Sequence, residues 1–343
     1  IEPGHFRFAV DGEHVIQLEA RLFWTHKGTE KLFEGRTPQA GALLAERVCG
    51  ACSVANSLAF CQALEAIAGV TPSERAQLIR VVAAELERLY NHAGDVAGIL
   101  TDVAYAGGAA HLMQLRERLL QLNEAFAGNR LLMGMNVPGG VKWDLSPDLV
   151  ARLGELAGIQ RAFDELVALA TADESVLDRL ETTGRLTRQV VDELGVVGPA
   201  ARAAGVRHDV RKDHPYAAYG RLGFELAIAE KGDVLARLRV KQAEFAQSVA
   251  LIRSAIRQLP EGPLAAPLGI LGAGSALGWA EGPRGETLVW VETTADGRLA
   301  RVKVRSASYM NWPAVPQAVL GNIVPDFPLI NKSFNLCYSC TDR

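Results

Sequence analysis

Two short stretches at opposite ends of the chain decide its fold: Glu46-Arg47-Val48-Cys49-Gly50-Ala51-Cys52 and Cys337-Tyr338-Ser339-Cys340-Thr341-Asp342-Arg343. Each contains a Cys-x-x-Cys pair, and this spacing brings two thiols to one side of a helical turn or a tight loop. Two such pairs make a four-thiolate site that suits zinc, iron–sulfur groups or nickel. The sequence therefore predicts that residues 49 and 340 meet in one buried site. The spacing alone leaves the identity of the metal open.

The composition indicates a large core and excludes one class of partner. The chain has 343 residues, 49% of them hydrophobic, and a net charge of −3. No basic run or stripe is present, so we expect no binding to nucleic acid. Of the five cysteines, four lie in the two pairs. An odd count with this spacing indicates metal or redox chemistry in a reducing compartment rather than a secreted disulfide framework.

Residues 96–113 form the most apolar long window and include Asp102 and His111. These polar residues favour a buried core helix over a membrane span. The chain begins at Ile1 rather than Met, and no signal peptide is visible in it. We therefore expect a soluble chain.

Hydrophobic periodicity predicts a predominantly helical α+β protein with small antiparallel β sections near both ends. We expect one domain over residues 1–343. It comprises an N-terminal β section (1–36), a helical body (37–260) and a C-terminal β section with the second cysteine pair (261–343). The predicted strands cover 6–24 and 275–310; the predicted helices cover 37–48, 52–69, 73–127 with a break at Gly107-Gly108, 146–193, 221–258 and 313–321; the predicted loops cover 134–142 and 195–220.

The predicted helix after the first cysteine pair has a chemical consequence. Cys52 would lie at the N-terminus of that helix, where the positive end of the helix dipole lowers a thiol pKa and favours the thiolate. Cys61 lies further along the same apolar helix, and we interpret it as a plain buried thiol. Gly272-Ala273-Gly274 with Gly278 misses the dinucleotide-binding spacing by one position and follows no clean strand.

The sequence resembles a known family, the large subunits of nickel–iron hydrogenases. The similarity is closest to the membrane-associated, energy-converting group that includes the formate hydrogenlyase large subunit, and this group is homologous to the quinone-site subunit of respiratory complex I. Besides the two cysteine motifs, the segments that carry the resemblance are Ile1-Glu2-Pro3-Gly4-His5-Phe6-Arg7-Phe8, His26-Lys27-Gly28-Thr29-Glu30-Lys31, Asp213-His214-Pro215-Tyr216 and Glu281-Gly282-Pro283-Arg284-Gly285.

The resemblance implies a nickel–iron centre in which iron carries carbon monoxide and cyanide. Cys49 and Cys337 would be terminal nickel ligands, whereas Cys52 and Cys340 would bridge nickel and iron. Arg284 matches an arginine that lies over the metals in this family, where a fixed guanidinium would stabilise developing charge. Without the resemblance, an arginine after a proline would be interpreted as part of a surface turn.

Two glutamates are further candidates for the site. Glu2 resembles the N-terminal glutamate that takes protons from a terminal thiolate, and a carboxylate suits this role because burial can raise its pKa. Glu30 is a candidate for a proton path or for a nearby structural ion, and the resemblance implies a magnesium ion near the C-terminus. Taken alone, either glutamate would more commonly be a surface carboxylate.

Three departures from the family pattern lie near the cysteines. Ala51 stands where a larger aliphatic residue is usual. Asn56 stands where a histidine usually donates a hydrogen bond to a cysteine ligand, and Asn335-Leu336 replaces Asp-Pro. These changes remove two ionisable groups beside the expected metals. We expect them to alter the rate and direction of turnover more than metal binding.

The cysteine count also predicts a redox partner, because Cys61 alone cannot bind an iron–sulfur cluster in the usual four-thiolate manner. We therefore expect a hydrogenase large subunit that interconverts H2 with protons and electrons. Its implied partners are a small iron–sulfur subunit, membrane subunits and maturation proteins, with the complex peripheral on the cytoplasmic face of the membrane. Two alternatives remain: a complex I-like quinone-binding or coupling subunit without hydrogenase activity, and a structural zinc scaffold.

Overall fold

A computed structural model describes residues 2–343. The chain opens with an antiparallel hairpin of β1 (His5–Asp11) and β2 (His14–Arg21). Gly12 has a φ of +59°, which suits glycine at the tight turn between them. The hairpin confirms the strands predicted for this part of the chain.

Helices make up most of the remaining structure, as the periodicity predicts. They are α1 (Thr29–Leu32), α2 (Pro38–Arg47), α3 (Ser53–Ala68), α4 (Glu74–Asp102), α5 (Ala106–Ala127), α6 (Pro147–Leu153), α7 (Leu156–Ala172), α8 (Glu174–Leu180), α9 (Arg188–Leu194), α10 (Pro199–Arg202), α11 (Val210–Asp213), α12 (Tyr219–Leu222), α13 (Val234–Arg257), α14 (Ala307–Asn311), α15 (Ala314–Val319), α16 (Phe327–Phe334) and α17 (Tyr338–Asp342), with 3₁₀ turns at Gly50–Cys52 and Val324–Asp326.

Helix α4 is the centre of the core, because it packs against α5, α13 and α16 and is buried along most of its length. The other large layer is an antiparallel sheet in the order β5 (Gly274–Gly282), β6 (Gly285–Thr293) and β7 (Leu299–Arg305). Strand β5 lies on α3. A Cβ atom at Gly278 would come within 1.9 Å of the carbonyl oxygen of Ala59, so only glycine permits this approach.

The helix predicted over residues 73–127 is interrupted earlier than the sequence suggested. The break lies at Val103–Tyr105, where Ala104 has a φ of +60°, and Gly107 and Gly108 both lie inside α5. Gly108 serves packing, since a Cβ atom there would lie 2.4 Å from the ring of Tyr105. The apolar window 96–113 is therefore not one continuous helix.

Three other predictions need correction. The helix expected from residue 221 begins at Val234, after Asp233 accepts a hydrogen bond from the N–H of Ala236 at 2.8 Å. Gly232 precedes this cap, and a Cβ atom there would lie 2.0 Å from the carbonyl oxygen of Leu186. The expected loop over 195–220 contains the short helices α10 and α11 and the start of α12, and the expected loop over 134–142 contains a two-stranded hairpin of β3 (Asn136–Val137) and β4 (Gly140–Val141).

One helical stretch among the described residues, Gly50–Ala68, is long and apolar enough to span a membrane. Within the fold, 72% of that stretch is buried. It includes α3, which packs against β5 and α2.

Candidate metal centre

The four paired cysteines meet in the interior. The sulfur atoms of Cys49, Cys52 and Cys340 all lie within 4.8 Å of one another, and these three residues are buried. The Sγ atom of Cys337 lies 3.1 Å from that of Cys49, across 288 residues of chain. The structure thus brings together the two ends of the chain as the sequence predicts.

The first cysteine pair is held by α4. Cys49 is extended, and Cys52 is the N-terminal cap residue of α3. The carboxylate of Glu87 accepts hydrogen bonds from the N–H groups of Val54 and Ala55 at 2.7 and 3.1 Å, which caps α3 from below. Burial raises the pKa of Glu87 to about 8, although these backbone N–H groups lower it.

The second pair lies on the short helix α17, which the N-terminal section anchors. The N–H of Cys337 donates to Ser308 Oγ at 2.9 Å. The carboxylate of Asp342 accepts from the N–H groups of Phe23 and Thr25 at 3.0 and 2.8 Å. The last residues therefore depend on the loop after β2 for their position.

A lysine joins the two motifs directly. Lys27 Nζ donates to the carbonyl oxygen of Val48 at 3.1 Å and also to Ser339 Oγ. Ser339 in turn donates to the carbonyl oxygen of Val48 at 3.0 Å. The carboxylate of Glu2 lies 3.7 Å from Lys27 Nζ, which places Glu2 beside the junction of the two cysteine motifs.

Arg284 is buried beside the sulfur cluster rather than exposed in a surface turn. Its Nη1 lies 3.9 Å from Cys52 Sγ and donates to Asn91 Oδ1 at 3.0 Å. Its Nη2 lies 3.7 Å from Asp95 Oδ1, and its Nε donates to the carbonyl oxygen of Asn335. Burial opposes the charge, but Asp95 and the thiols raise the pKa of the guanidinium above its ordinary value.

The turn that carries Arg284 is fixed from both sides. Arg88 donates to the carbonyl oxygens of Glu281 and Gly282 at 2.7 and 3.1 Å. On the other side a Cβ atom at Gly198 would lie 2.3 Å from the carbonyl oxygen of Arg284, so this approach requires glycine. The guanidinium is therefore held over the sulfur cluster by a rigid turn, as electrostatic stabilisation requires.

The thiols do not share negative charge equally. Hydrogen bonds from the thiols of Cys340 and Cys49, together with the nearby Arg284 guanidinium, hold the pKa of Cys52 well below its ordinary value. Hydrogen bonds to Cys337, Cys49 and Cys52 raise the pKa of the Cys340 thiol well above its ordinary value. The lowered pKa therefore belongs to the thiol nearest the guanidinium, whose Nη1 lies 3.9 Å from Cys52 Sγ.

Glu30 lies in a separate cluster of charges. Its carboxylate accepts from the N–H of Val304 at 3.0 Å, pairs with Lys303, and lies 3.5 Å from Nη1 of Arg343. Burial raises the pKa of Glu30, but Lys303, Val304 and Arg343 outweigh it and lower the pKa overall. Two cations and a backbone N–H already engage this carboxylate, so this donor set does not fit the expected magnesium ion, which prefers several oxygen ligands.

Cys61 is buried in α3 and lies outside the sulfur cluster. Burial raises the pKa of its thiol. Asn56, one turn after Cys52, is also buried, and among residues 2–343 neither of its side-chain amide atoms has a hydrogen-bond partner.

Sequence reasoning missed the polar face of α4. Asn91 donates to the carbonyl oxygen of Ala51 at 2.8 Å and accepts from Arg284, and Asp95 forms a buried ion pair with Lys241 at 2.6 Å. Glu87, Asn91 and Asp95 recur every four residues along α4. Such spacing puts them on one face, and this was the available signal.

The donors fit the expected metals. Four sulfur ligands that converge from two Cys-x-x-Cys motifs suit soft and borderline metals such as nickel and iron. Cys49, Cys52, Cys337 and Cys340 would hold such a centre, with the Arg284 guanidinium at its edge.

Two family models match the chain. The model described as "Respiratory-chain NADH dehydrogenase, 49 Kd subunit" matches residues 102–268 and 270–343. The model described as "Nickel-dependent hydrogenase" matches residues 27–93, which contain the first cysteine pair.

Individual proteins resemble the chain over its full length. It is 38% identical to the carbon monoxide-induced hydrogenase of Rhodospirillum rubrum, over 100% of this chain and 96% of that protein. It is 36% identical to formate hydrogenlyase subunit 5 of Escherichia coli, over 100% of this chain but 61% of that protein.

A solved structure described as "the membrane-bound sulfane sulfur reductase (MBS), an archaeal respiratory membrane complex" contains a chain with the same fold. The TM-score is 0.94 at 26% identity, and the match covers 100% of this chain and 95% of that one. The sequence and structural similarities agree with the geometry of the cysteine cluster. The chain belongs to the family of nickel–iron hydrogenase large subunits of the membrane-associated, energy-converting group, which is homologous to the 49 kDa subunit of respiratory-chain NADH dehydrogenase.

Proposed function

We propose that this protein is the catalytic large subunit of a nickel–iron hydrogenase complex that interconverts H2 with protons and electrons. The observation that carries the proposal is the convergence of all four paired cysteine sulfurs beside a buried guanidinium. A structural zinc site would not require Arg284 to be fixed by three separate partners. When bound, a nickel–iron centre with carbon monoxide and cyanide on iron would supply the redox chemistry and the site of H2 cleavage.

The residues of the chain have distinct roles in this proposal. Cys49, Cys52, Cys337 and Cys340 would hold the nickel–iron centre, with Cys49 and Cys337 as the terminal ligands and Cys52 and Cys340 as the shared ones. The Arg284 guanidinium stabilises negative charge next to Cys52, at a distance of 3.9 Å between Nη1 and Sγ.

Proton transfer is assigned to Glu2. The Glu2 carboxylate, which lies 3.7 Å from Lys27 Nζ, would accept a proton from the protonated thiol of a terminal cysteine. Lys27 also contacts Val48 and Ser339, which flank the two cysteine motifs, and this placement supports the role. Glu30 is assigned to anchoring the C-terminus, because it lies among cationic groups rather than beside the sulfurs.

Electrons leave through another subunit in this proposal. The remaining cysteine, Cys61, is buried and separate, so the chain cannot provide four thiolates for a cluster of its own. The proposed partners are a small iron–sulfur subunit and membrane subunits of an energy-converting complex, on the cytoplasmic face, with maturation proteins that insert the metals.

Elemental analysis and infrared spectroscopy of the natively purified complex test the proposal. We expect nickel and iron, bands of metal-bound carbon monoxide and cyanide, and H2-dependent dye reduction. Cys337→Ala should abolish all three, whereas Cys61→Ala, the matched control, should retain them. Zinc without nickel in active protein, or an infrared spectrum without these bands, would overturn the proposal.

A second candidate function is a quinone-binding or coupling subunit without hydrogenase activity. The match to the 49 kDa subunit model of respiratory-chain NADH dehydrogenase favours it. It gives no reason for four converging thiols, which is why we prefer the hydrogenase. Quinone reduction by the complex that persists unchanged in the Cys337→Ala variant would support this alternative.

A further inference from the structure

A cavity of about 470 Å³ neighbours the candidate metal centre, because Arg284 and the Gly50 and Ala51 residues of the first cysteine motif line it. The other lining residues used below include Asp95, Met113, Arg116, Leu131 and Lys332. A cavity of this volume falls within the range of sites for small organic molecules.

The cavity carries an excess of positive charge. Arg116, Lys332 and Arg284 line it, and within residues 2–343 neither Arg116 nor Lys332 forms a salt bridge or a side-chain hydrogen bond. The Arg116 guanidinium lies 5.9 Å from the centre of the Tyr90 ring, and Lys332 interacts electrostatically with Asp102. The one acidic lining residue, Asp95, is shared between Lys241, at 2.6 Å and outside the lining, and Arg284, at 3.7 Å. A concave site with several cations and a compensated carboxylate attracts anions.

Two glycines of α4 hold these cations in place. A Cβ atom at Gly94 would lie 3.0 Å from Cδ of Arg116, and one at Gly98 would lie 2.7 Å from Cδ of Lys332. These glycines are one helical turn apart, so they share a face of α4. The stem of Lys332 and the side chain of Arg116 as far as its guanidinium therefore rest on bare backbone of α4, a contact that any larger residue at Gly94 or Gly98 would disturb.

Two further lining residues are small or neutral. Ala51 leaves room beside the first cysteine motif, and the Asn335 amide adds no charge. Met113 and Leu131 supply an apolar wall.

We propose that this cavity binds a small organic monoanion, such as a carboxylate with a compact apolar body. Its charged end would face the cationic groups, and its body would contact Met113, Leu131 and Ala51. A bound molecule would cover Arg284 and the Gly50–Ala51 backbone, and so would control access from solvent to the first cysteine pair. The proposal does not depend on which metals the cysteines hold, because none of the lining residues is a cysteine.

Calorimetric titration of the natively purified complex with sodium benzoate, at constant ionic strength and low chloride, tests this proposal. Benzamide serves as the neutral probe of the same shape. We expect benzoate to bind and benzamide to bind at least tenfold more weakly. The double variant Arg116→Gln and Lys332→Gln should lose roughly tenfold in benzoate affinity, since two partly exposed charges are removed. Arg253→Gln, which removes an exposed charge from α13, should leave affinity unchanged.

Ala51→Ile provides a second test without a charge change, because the larger side chain should fill the cavity and abolish benzoate binding. Equal affinities for benzoate and benzamide would overturn the proposal, as would unchanged benzoate binding in the charge variant. The absence of benzoate binding to the unaltered complex would also overturn it, and that comparison requires no variant. None of these outcomes bears on H2 turnover, so the proposed function stands or falls separately.

Discussion

Ser339 donates a hydrogen bond to the carbonyl oxygen of Val48 at 3.0 Å, across 291 residues of chain. Ser339 lies between the cysteines of the second pair, and Val48 immediately precedes the first. The same carbonyl accepts from Lys27 at 3.1 Å. The two cysteine motifs are therefore joined by protein contacts that do not require a metal.

Removal of Lys27 should loosen this junction. Lys27→Met deletes the hydrogen bonds to Val48 and Ser339, and hydrogen bonds from charged donors contribute about 1.5–3 kcal/mol. We expect the free energy of unfolding to fall by about this amount and metal to be lost faster on dialysis. The matched control is Lys31→Met, which removes a lysine with 79% side-chain exposure and should change neither quantity. Equal stability of the two variants would show that the junction contributes nothing.

Asn335→Asp should place two carboxylates in contact, because the Asn335 amide donates to Asp95 Oδ1. Two carboxylates this close raise the pKa of one of them, and we expect a loss of about 1–3 kcal/mol at pH 8. A raised folded-state pKa means that the penalty disappears as the pH falls, so stability should recover at pH 5. Asn335→Gly loses the donor without adding charge and suits the φ of +49°. In urea unfolding, the stability of Asn335→Gly should not recover between pH 8 and pH 5. An equal change in stability with pH in the two variants would contradict the proposed repulsion between carboxylates.

Glu46 should make the protein less stable as the pH rises. Its buried carboxylate accepts from the N–H of Gly134 at 2.7 Å, and burial raises its pKa to about 7. A raised carboxyl pKa contributes stability below the unfolded-state value, near 4.5, that is lost as the pH rises through 7. Glu46→Gln keeps an acceptor oxygen and removes the titration, so its urea midpoint should exceed that of the unaltered protein at pH 8 but not at pH 4.5. One pKa unit corresponds to about 1.4 kcal/mol, so the shifted pKa of Glu46 can change the free energy of unfolding at pH 8 by at most about 3 kcal/mol. A Glu46→Gln midpoint below that of the unaltered protein at pH 8 would refute this assignment.

Local patterns in the sequence predicted the parts of the fold that depend on them. Thr37-Pro38 predicted the start of α2, and Asp296-Gly297 predicted the turn between β6 and β7. The predicted helix boundaries were wrong where tertiary contacts, rather than the local sequence, determine where a helix begins or ends. Gly108 accommodates the Tyr105 ring inside α5, so it does not mark the predicted helix break. Gly232 meets the carbonyl oxygen of Leu186 just before α13, and the local sequence gives no sign of that contact.

Some residues of the candidate site could likewise be predicted from the sequence, whereas others were found only in the structure. Spacing and resemblance identified the four cysteines and Arg284, which the structure brings together. Asn91 and Asp95 contact Arg284 from α4, and only their four-residue spacing in the sequence indicated it. Lys27 lies in a segment that carries the resemblance, but its hydrogen bonds to both cysteine motifs depend on the fold. Glu30 illustrates the opposite case. It lies in a segment that matches the family, yet its carboxylate pairs with Lys303 and Arg343.

Glu30 should stabilise the C-terminus through these ion pairs rather than through magnesium. Glu30→Gln weakens the contacts with Lys303 and Arg343, and we expect a loss of about 1–2 kcal/mol, since both pairs are partly exposed. Chelation with EDTA should leave the melting temperature of the unaltered protein unchanged. Glu34→Gln, which alters the exposed pair with Lys31, is the control and should have little effect. A melting temperature that falls with EDTA and recovers with added magnesium would establish a metal site here instead.

The buried amide of Asn56 should acquire a partner only when the metal centre is assembled. Both of its amide atoms lack a hydrogen-bond partner within residues 2–343, and an unsatisfied buried polar group costs about 1–3 kcal/mol. Asn56 lies four residues, about one helical turn, after the cap residue Cys52, and this spacing would place it on the same side of α3 as Cys52. Asn56→Leu should therefore raise the melting temperature of protein produced without nickel. In the metal-loaded protein the same substitution should give no gain, because the amide then has a partner to lose. Cys61→Ala, which lies on α3 outside the cluster, should lower both melting temperatures equally. An equal gain from Asn56→Leu in both forms would show that the assembled centre makes no use of this amide.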